Sequence, residues 1–257
     1  MNPRSISKLL SLSLALSAPA ALADWRDDGA FRLTQDDGYG DDYKDSDSGD
    51  SVGEAKGAGF SLGLRAGYGV PFGKASGEGT DDGAELSDLV SGVIPLQVDA
   101  GYFINSNLYL GGFFQYGIGQ YGGEECPDEV NCSASQIRFG VDLAYHFAPS
   151  ASINPWVGVG VGYERIAVNI SSDVAGVDAE ATTSARGIEF GHAQGGLDFR
   201  LSDTISVGPF ATFTVAQYST ASISSSGVGP DIDESADIDE KAFHFWLYGG
   251  LRLQARF

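Results

Sequence analysis

The carboxy-terminal residues alternate without a break. Phe243, Phe245, Leu247, Gly249, Leu251, Leu253, Ala255 and Phe257 share one phase, and His244, Trp246, Tyr248, Gly250, Arg252, Gln254 and Arg256 share the other. Period-two alternation predicts a strand with one apolar and one polar face. The apolar face continues over roughly the ten residues that a tilted strand needs to cross a bilayer. The same pattern recurs upstream. Phe60, Leu62, Leu64, Ala66, Tyr68 and Val70 alternate with Ser61, Gly63, Arg65, Gly67 and Gly69, and Ile94 to Tyr102 alternates about Gln97, Asp99 and Gly101. Leu108 to Ile118, Ile137 to Phe147, Val157 to Tyr163 and Val207 to Val215 follow suit. The sixth stretch conflicts with itself. Leu197 and Phe199 set an outward phase, yet Ile188 and Phe190 fall on the inward one, so a β-bulge is expected between them.

The connections alternate as well. Residues 104–107, 148–154 and 201–204 are short, whereas 73–91, 120–134, 167–185 and 219–240 are long and polar. Short turns at one end and long loops at the other predict an all-β chain, an eight-stranded antiparallel transmembrane up-and-down β-barrel over 57–257. Aromatic residues near strand ends (Tyr68, Tyr102, Tyr116, Tyr145, Phe147, Tyr163, Phe257) suit two interfacial girdles. Trp156, also near a strand end, falls on the inward phase.

These strand blocks carry a resemblance. Leu64-Arg65-Ala66-Gly67-Tyr68-Gly69-Val70-Pro71-Phe72-Gly73, Ile94-Pro95-Leu96-Gln97-Val98-Asp99-Ala100-Gly101-Tyr102 and Asn107-Leu108-Tyr109-Leu110-Gly111-Gly112-Phe113 are similar to the strands of small bacterial outer-membrane β-barrel proteins. These are the eight-stranded relatives of OmpX, OmpW and the OmpA barrel. The resemblance implies a fold and a bacterial outer-membrane location. It brings no shared catalytic set. In such proteins the terminal strand, here with Leu251, Leu253 and Phe257, is the signal read by the barrel assembly machinery.

The amino terminus agrees with export. Arg4 and Lys8 precede a Leu/Ser/Ala run, and Ala21-Leu22-Ala23 ends it, so residues 1–23 read as a signal peptide. No later run approaches the roughly 18 apolar residues of a membrane helix. Mean hydropathy is -0.07, as expected when apolar residues occupy alternate positions. Residues 24–56 are acidic and poor in apolar groups, which predicts a flexible periplasmic segment. Asp45 and Asp47 there fit a calcium loop in part, but Gly49 occupies a position that needs an oxygen ligand.

Thirty-five acidic against fifteen basic residues give a net charge of -20, which argues against nucleic acid as a partner. Many acids fall in the long connections: Glu78, Asp81, Asp82, Glu85 and Asp88; Glu124, Glu125, Asp128 and Glu129; Asp173, Asp178 and Glu180; Asp231, Asp233, Glu234, Asp237, Asp239 and Glu240. A solvated surface accounts for them. Divalent cations, or lipopolysaccharide phosphates bridged through such cations, are the alternative ligands. Cys126 and Cys132 are the only cysteines and read as a disulfide in an exported chain, with free thiols as the alternative.

Inward positions hold mixed charges: Arg65, Asp99, Arg138, Asp142, Glu164, Asp198, Arg200 and Arg252. In so narrow a barrel such charges must pair, which predicts a packed polar network and no resident cofactor or metal. A narrow cation-preferring small-solute channel is the rival reading. His146, His192 and His244 also fall inward, away from the lipid-facing surface where a lipid-modifying hydrolase would need its histidine. The chain is therefore read as a monomeric, non-enzymatic envelope component with a structural or surface-interaction role.

Overall fold

The computed structural model describes residues 57–77, 84–123, 126, 130–174, 177–227 and 231–257. The expected signal peptide and the acidic 24–56 segment lie outside them. So do the expected loop acids Glu78, Asp81, Asp82, Glu124, Glu125, Asp128 and Glu129, and the side chains of Asp173 and Asp178.

Strands β1 (Gly59–Gly73), β2 (Val90–Phe103), β3 (Leu108–Tyr121), β4 (Val130–His146), β5 (Ile153–Val174), β6 (Val177–Arg200) and β7 (Ile205–Ser226) each pair antiparallel with the next. A short strand β8 (Ile232–Asp237) lies on the outer part of β7. The terminal strand β9 (Phe243–Arg256) pairs with β7 on one side and β1 on the other, which closes an eight-stranded barrel of β1–β7 and β9. Among the described residues, closure gives every barrel strand a backbone partner on both edges.

The alternation read from the sequence becomes an inverted burial pattern. Leu64 is 55 % exposed and Val159 57 %, while their neighbours Arg65 and Gly158 are buried. Leu251, Leu253 and Phe257 face outward. Trp156 faces inward and is fully buried, so it belongs to the interior and not to a girdle. A surface this apolar, wrapped around a polar interior, is the reverse of a water-soluble protein.

The expected bulge in β6 is present. Its register slips between Glu189 and Gly191 against β7, and the facing β5 register slips between Gly160 and Gly162. One extra residue resets the phase, so Ile188 and Phe190 both face outward, at 54 % and 51 % exposure.

The short turns are tied by their own side chains. Asn105 Oδ1 accepts from the backbone N–H groups of Asn107 (2.9 Å) and Leu108 (2.8 Å), and Ser202 Oγ accepts from that of Ile205 (3.1 Å). The opposite end departs from the sequence reading. In the polar stretch 167–185 the described residues 167–174 and 177–185 are strand and not loop: Ala167 pairs with Ser184 and Ile170 with Ala181, so β5 and β6 run on as a long hairpin. Val130–Ala134 and Ser219–Ser226 likewise extend β4 and β7. Val, Ile, Thr and Ser alternate there, and backbone pairing does not require an apolar face. The stretch before β2 holds a one-turn helix, α1 (Leu86–Leu89), that carries Leu86 inward.

Cys126 and Cys132 are joined, with Cα atoms 6.2 Å apart, at the start of β4. So short a closed loop contributes about 2 kcal/mol by chain entropy. Cys126→Ser is expected to fold with an unchanged shift between boiled and unheated gel samples, and to lose protection only near β4. Failure of that variant to form the heat-modifiable species would give the bridge a larger role.

Candidate functional site: the barrel interior

Three layers fill the barrel. At the short-turn end, Phe103, Tyr109, Ala144, Trp156 and Phe210 form a buried aromatic layer. At the hairpin end, Leu86 and Val90 fold over Ala75, Val93, Ile166, Val168, Trp246 and Tyr248 as an apolar cap. Neither α1 nor this cap was expected from the sequence. Leu86, Leu89 and Val90 have i, i+3, i+4 spacing, but a single turn of it is a weak signal.

Between these layers lie the charges, each brought inward by strand alternation. Arg65 of β1 donates Nε to Asp99 Oδ2 on β2 at 2.7 Å, and its Nη1 to Gln194. Gln97 donates to the other oxygen of Asp99 at 2.7 Å. Arg138 of β4 reaches across to Glu189 of β6, with Nη2 2.7 Å from Oε2, and donates Nη1 to Gln115 at 2.9 Å. Its guanidinium lies 4.6 Å from the centre of the Tyr248 ring, a cation–π contact. His192 sits between Asp142 and Glu189, one carboxylate on each ring nitrogen.

Glu164 of β5 is the most heavily used acceptor. Tyr218 Oη donates to its Oε1 at 2.6 Å, Trp246 Nε1 at 2.9 Å and Gln136 Nε2 at 3.2 Å, with His244 Nε2 3.5 Å from Oε2. Gln136 continues the chain, accepting from Gln115 and Tyr248 at 3.1 Å each. Glu164 and Arg138 are thus joined through Gln136 and Gln115. Toward the turn end the contacts loosen. Asp198 lies 3.9 Å from Arg252 and 3.6 Å from His146. Arg252 packs over Trp156 at 4.3 Å. Arg200 lies at the mouth itself, half-buried, and donates to the Pro149 carbonyl.

Arg65, Asp99, Arg138, Asp142, Glu164, Asp198 and Arg252 are therefore all buried inside, and all three histidines face inward as their phase predicted. Glu189 was missed, because an unshifted β6 would aim it at lipid. Its position between Ile188 and Phe190 was itself a signal, since a carboxylate on the lipid-facing side is costly. Gln115, Gln136 and Gln194 were missed as links because attention to charge passes over neutral amides. Among the described residues, the void at the centre of this network, lined by Arg65, Gln115, Arg138, His192 and Gln194, measures about 10 Å³. That is room for about one water. No group of side chains among the described residues has the arrangement of a metal site.

No protein-family model matches the chain, and no curated protein matches it. Solved structures do. A major outer membrane protein from Thermus thermophilus superposes with a TM-score of 0.52 at 12% identity, over 78% of this chain and 99% of that one. Neisserial surface protein A aligns over 79% of this chain and 100% of its own, at 14% identity and a TM-score of 0.44. Ail, the attachment invasion locus protein of Yersinia pestis, aligns over 79% and 99% at 11% identity and a TM-score of 0.38. Identities this low carry the fold alone, and of these three the Thermus likeness, with a TM-score above 0.5, carries it. Together with the closed β1–β7/β9 sheet and its apolar outer face, it gives the chain the fold of small bacterial outer-membrane β-barrels.

Proposed function

We propose that this chain resides in a bacterial outer membrane as a sealed barrel with a structural or surface-interaction role. The observation that carries the reading is the central void of about 10 Å³ among paired charges, under the Leu86–Val90 cap. A hydrated ion has no room to pass. The short turns then face the periplasm and the long hairpins the exterior. The hairpin end presents Glu85, Asp88, Glu180, Asp231, Asp233, Glu234, Asp237, Asp239 and Glu240, all exposed. Carboxylates in this setting suit divalent cations, and through them the phosphates of neighbouring lipopolysaccharide. The lipid-facing belt supports contact with outer-membrane lipid all round, and hence a monomer. His146, His192 and His244 are all buried in the interior, away from the outer face where a lipid substrate would lie, which supports a non-enzymatic role.

The test is conductance. Purified protein in a planar bilayer is expected to give no stable current. Steady single-channel steps would replace this reading with the narrow channel. Cation preference in those steps would fit the acidic hairpins, by raising the local cation concentration.

A further inference from the structure

Two arginines meet on the outer face of the barrel. Arg165 of β5 and Arg186 of β6 stand directly opposite each other in the antiparallel register, so both side chains leave the sheet on one face. Cβ atoms so placed lie about 4.5–5.5 Å apart, and like charges there are destabilising. Both side chains are exposed. Among the described residues, neither guanidinium has an ion pair or a hydrogen-bond partner. The row that holds them runs Tyr116, Ile137, Arg165, Arg186, Thr220, Asp237, which leaves the acid two strands beyond Arg186.

Their neighbours set their depth. Two residues toward the turns, on the same outward phase, come Tyr163 and Ile188, themselves a cross-strand pair, with Ile188 54 % exposed. Two residues the other way come Ala167 and Ser184, in the polar hairpin extension. The arginines thus cap the apolar belt at the level of lipid headgroups. A groove opens in the belt on the same side. It measures about 620 Å³. Ala100 of β2 and Gly112 of β3 oppose each other and make its floor, since neither carries bulk. Val98, Phe114, Phe139 and Tyr163 stand around it. Tyr163 is therefore both a wall of the groove and the outward neighbour of Arg165.

We propose that a phosphorylated lipid of the outer leaflet docks here, with one phosphate held between Arg165 and Arg186 and one acyl chain laid in the groove. Guanidinium groups bind phosphate through paired N–H donors, so one phosphate turns the repulsion of the two arginines into a shared attraction. The exposed carboxylates of the hairpin end would repel such a lipid elsewhere, which makes this pair the point of direct contact. The inference rests on the reading that the hairpins face the exterior, and adds to it a lipid contact that needs no bridging cation.

The probe is lipid A, titrated into the full chain in detergent micelles and counted by native mass spectrometry. One lipid per barrel is expected, with dephosphorylated lipid A at least tenfold weaker and millimolar inorganic phosphate unable to displace it. The double variant Arg165→Gln/Arg186→Gln should weaken binding at least tenfold and keep the heat-dependent gel shift. Lys241→Gln, at another exposed base of the hairpin end, should stay within twofold of the parent. Ala100→Phe fills the groove without touching a charge and should weaken binding at least threefold. Arg165→Glu sets opposite charges across the strands. Its urea midpoint in detergent without lipid should be no lower than the parent's, while its lipid A binding falls at least tenfold. Equal binding of the two lipid forms, displacement by phosphate, full binding to the double variant or to Ala100→Phe, or an equal loss in Lys241→Gln would each overturn the proposal. Failure of the underlying reading shows separately. An open pore would appear as current. Inward-facing hairpins would leave Glu180→Cys unlabelled by an impermeant maleimide on intact cells, and would overturn the choice of an outer-leaflet lipid whatever the titration gives.

Discussion

Replacing Glu164 by alanine is expected to cost about 3–5 kcal/mol of barrel stability, the range seen when one partner is removed from a buried charged pair. Glu164 is fully buried and takes hydrogen bonds from Tyr218, Trp246 and Gln136. Alanine leaves three buried donors with nothing to replace their acceptor, and each such orphan costs about 1–3 kcal/mol. His244 and Arg138 also lose the negative charge nearest to one and linked to the other. Glu164→Gln separates these effects. The amide keeps a carbonyl oxygen for the donors but gives up the charge, so its loss should be less than half as large. Glu180→Ala, at an exposed position of the long hairpin, should stay within about 0.5 kcal/mol of the parent. Urea unfolding in detergent or lipid, followed by tryptophan fluorescence, measures all three. A Glu164→Ala midpoint equal to that of Glu180→Ala would mean that the interior hydrogen bonds contribute little, and that the sheet alone holds the barrel.

The same site shows what alternation can and cannot disclose. A strand in a closed barrel has lipid on one face and packed interior on the other, so its phase is written plainly into the residues. This is why the sequence alone assigns Arg65, Asp99, Arg138, Asp142, Glu164 and Arg252 inward, where the structure buries them. The conflict between Ile188 and Phe190 on one side and Leu197 and Phe199 on the other located the bulge for the same reason. Which inward charges touch is a different matter. Arg138 pairs with Glu189 across the lumen, not along its own neighbours, and that depends on the stagger between strands. The hairpin extensions were hidden because polarity was read as a loop signal. Above the apolar belt both strand faces meet water or other polar chain, so Thr182–Asn169 and Ser184–Ser222 hydrogen bonds replace hydrophobic contrast. The cap was hidden because α1 is too short to leave more than one turn of periodicity.

Removal of the terminal strand should have the largest effect of any change. β9 is the strand that joins the first part of the sheet to its last. It pairs from Ser61↔Arg256 to Gly73↔His244 with β1, and from Ile205↔Ala255 to Gln217↔Phe243 with β7. Ending the chain at Ala242 exposes both of these backbone rows at once, and in a bilayer each unpaired group costs several kcal/mol. It also takes away Trp246, one of the donors to Glu164, and Tyr248, over which Arg138 is stacked. No compact heat-modifiable species should form. Deleting Phe257 alone isolates a different role. Its side chain is 64 % exposed, and its backbone N–H donates to Phe60 O at 2.8 Å, so the folded barrel loses one hydrogen bond and little packing. Refolding into detergent should therefore proceed nearly as in the parent. In cells, by contrast, outer-membrane yield should fall and aggregate should accumulate in the periplasm, if the outward Leu251, Leu253 and Phe257 are what the assembly machinery reads. The two measurements discriminate cleanly. Loss in both settings would make Phe257 a stability residue, and loss in neither would leave the terminal aromatic without a role in insertion.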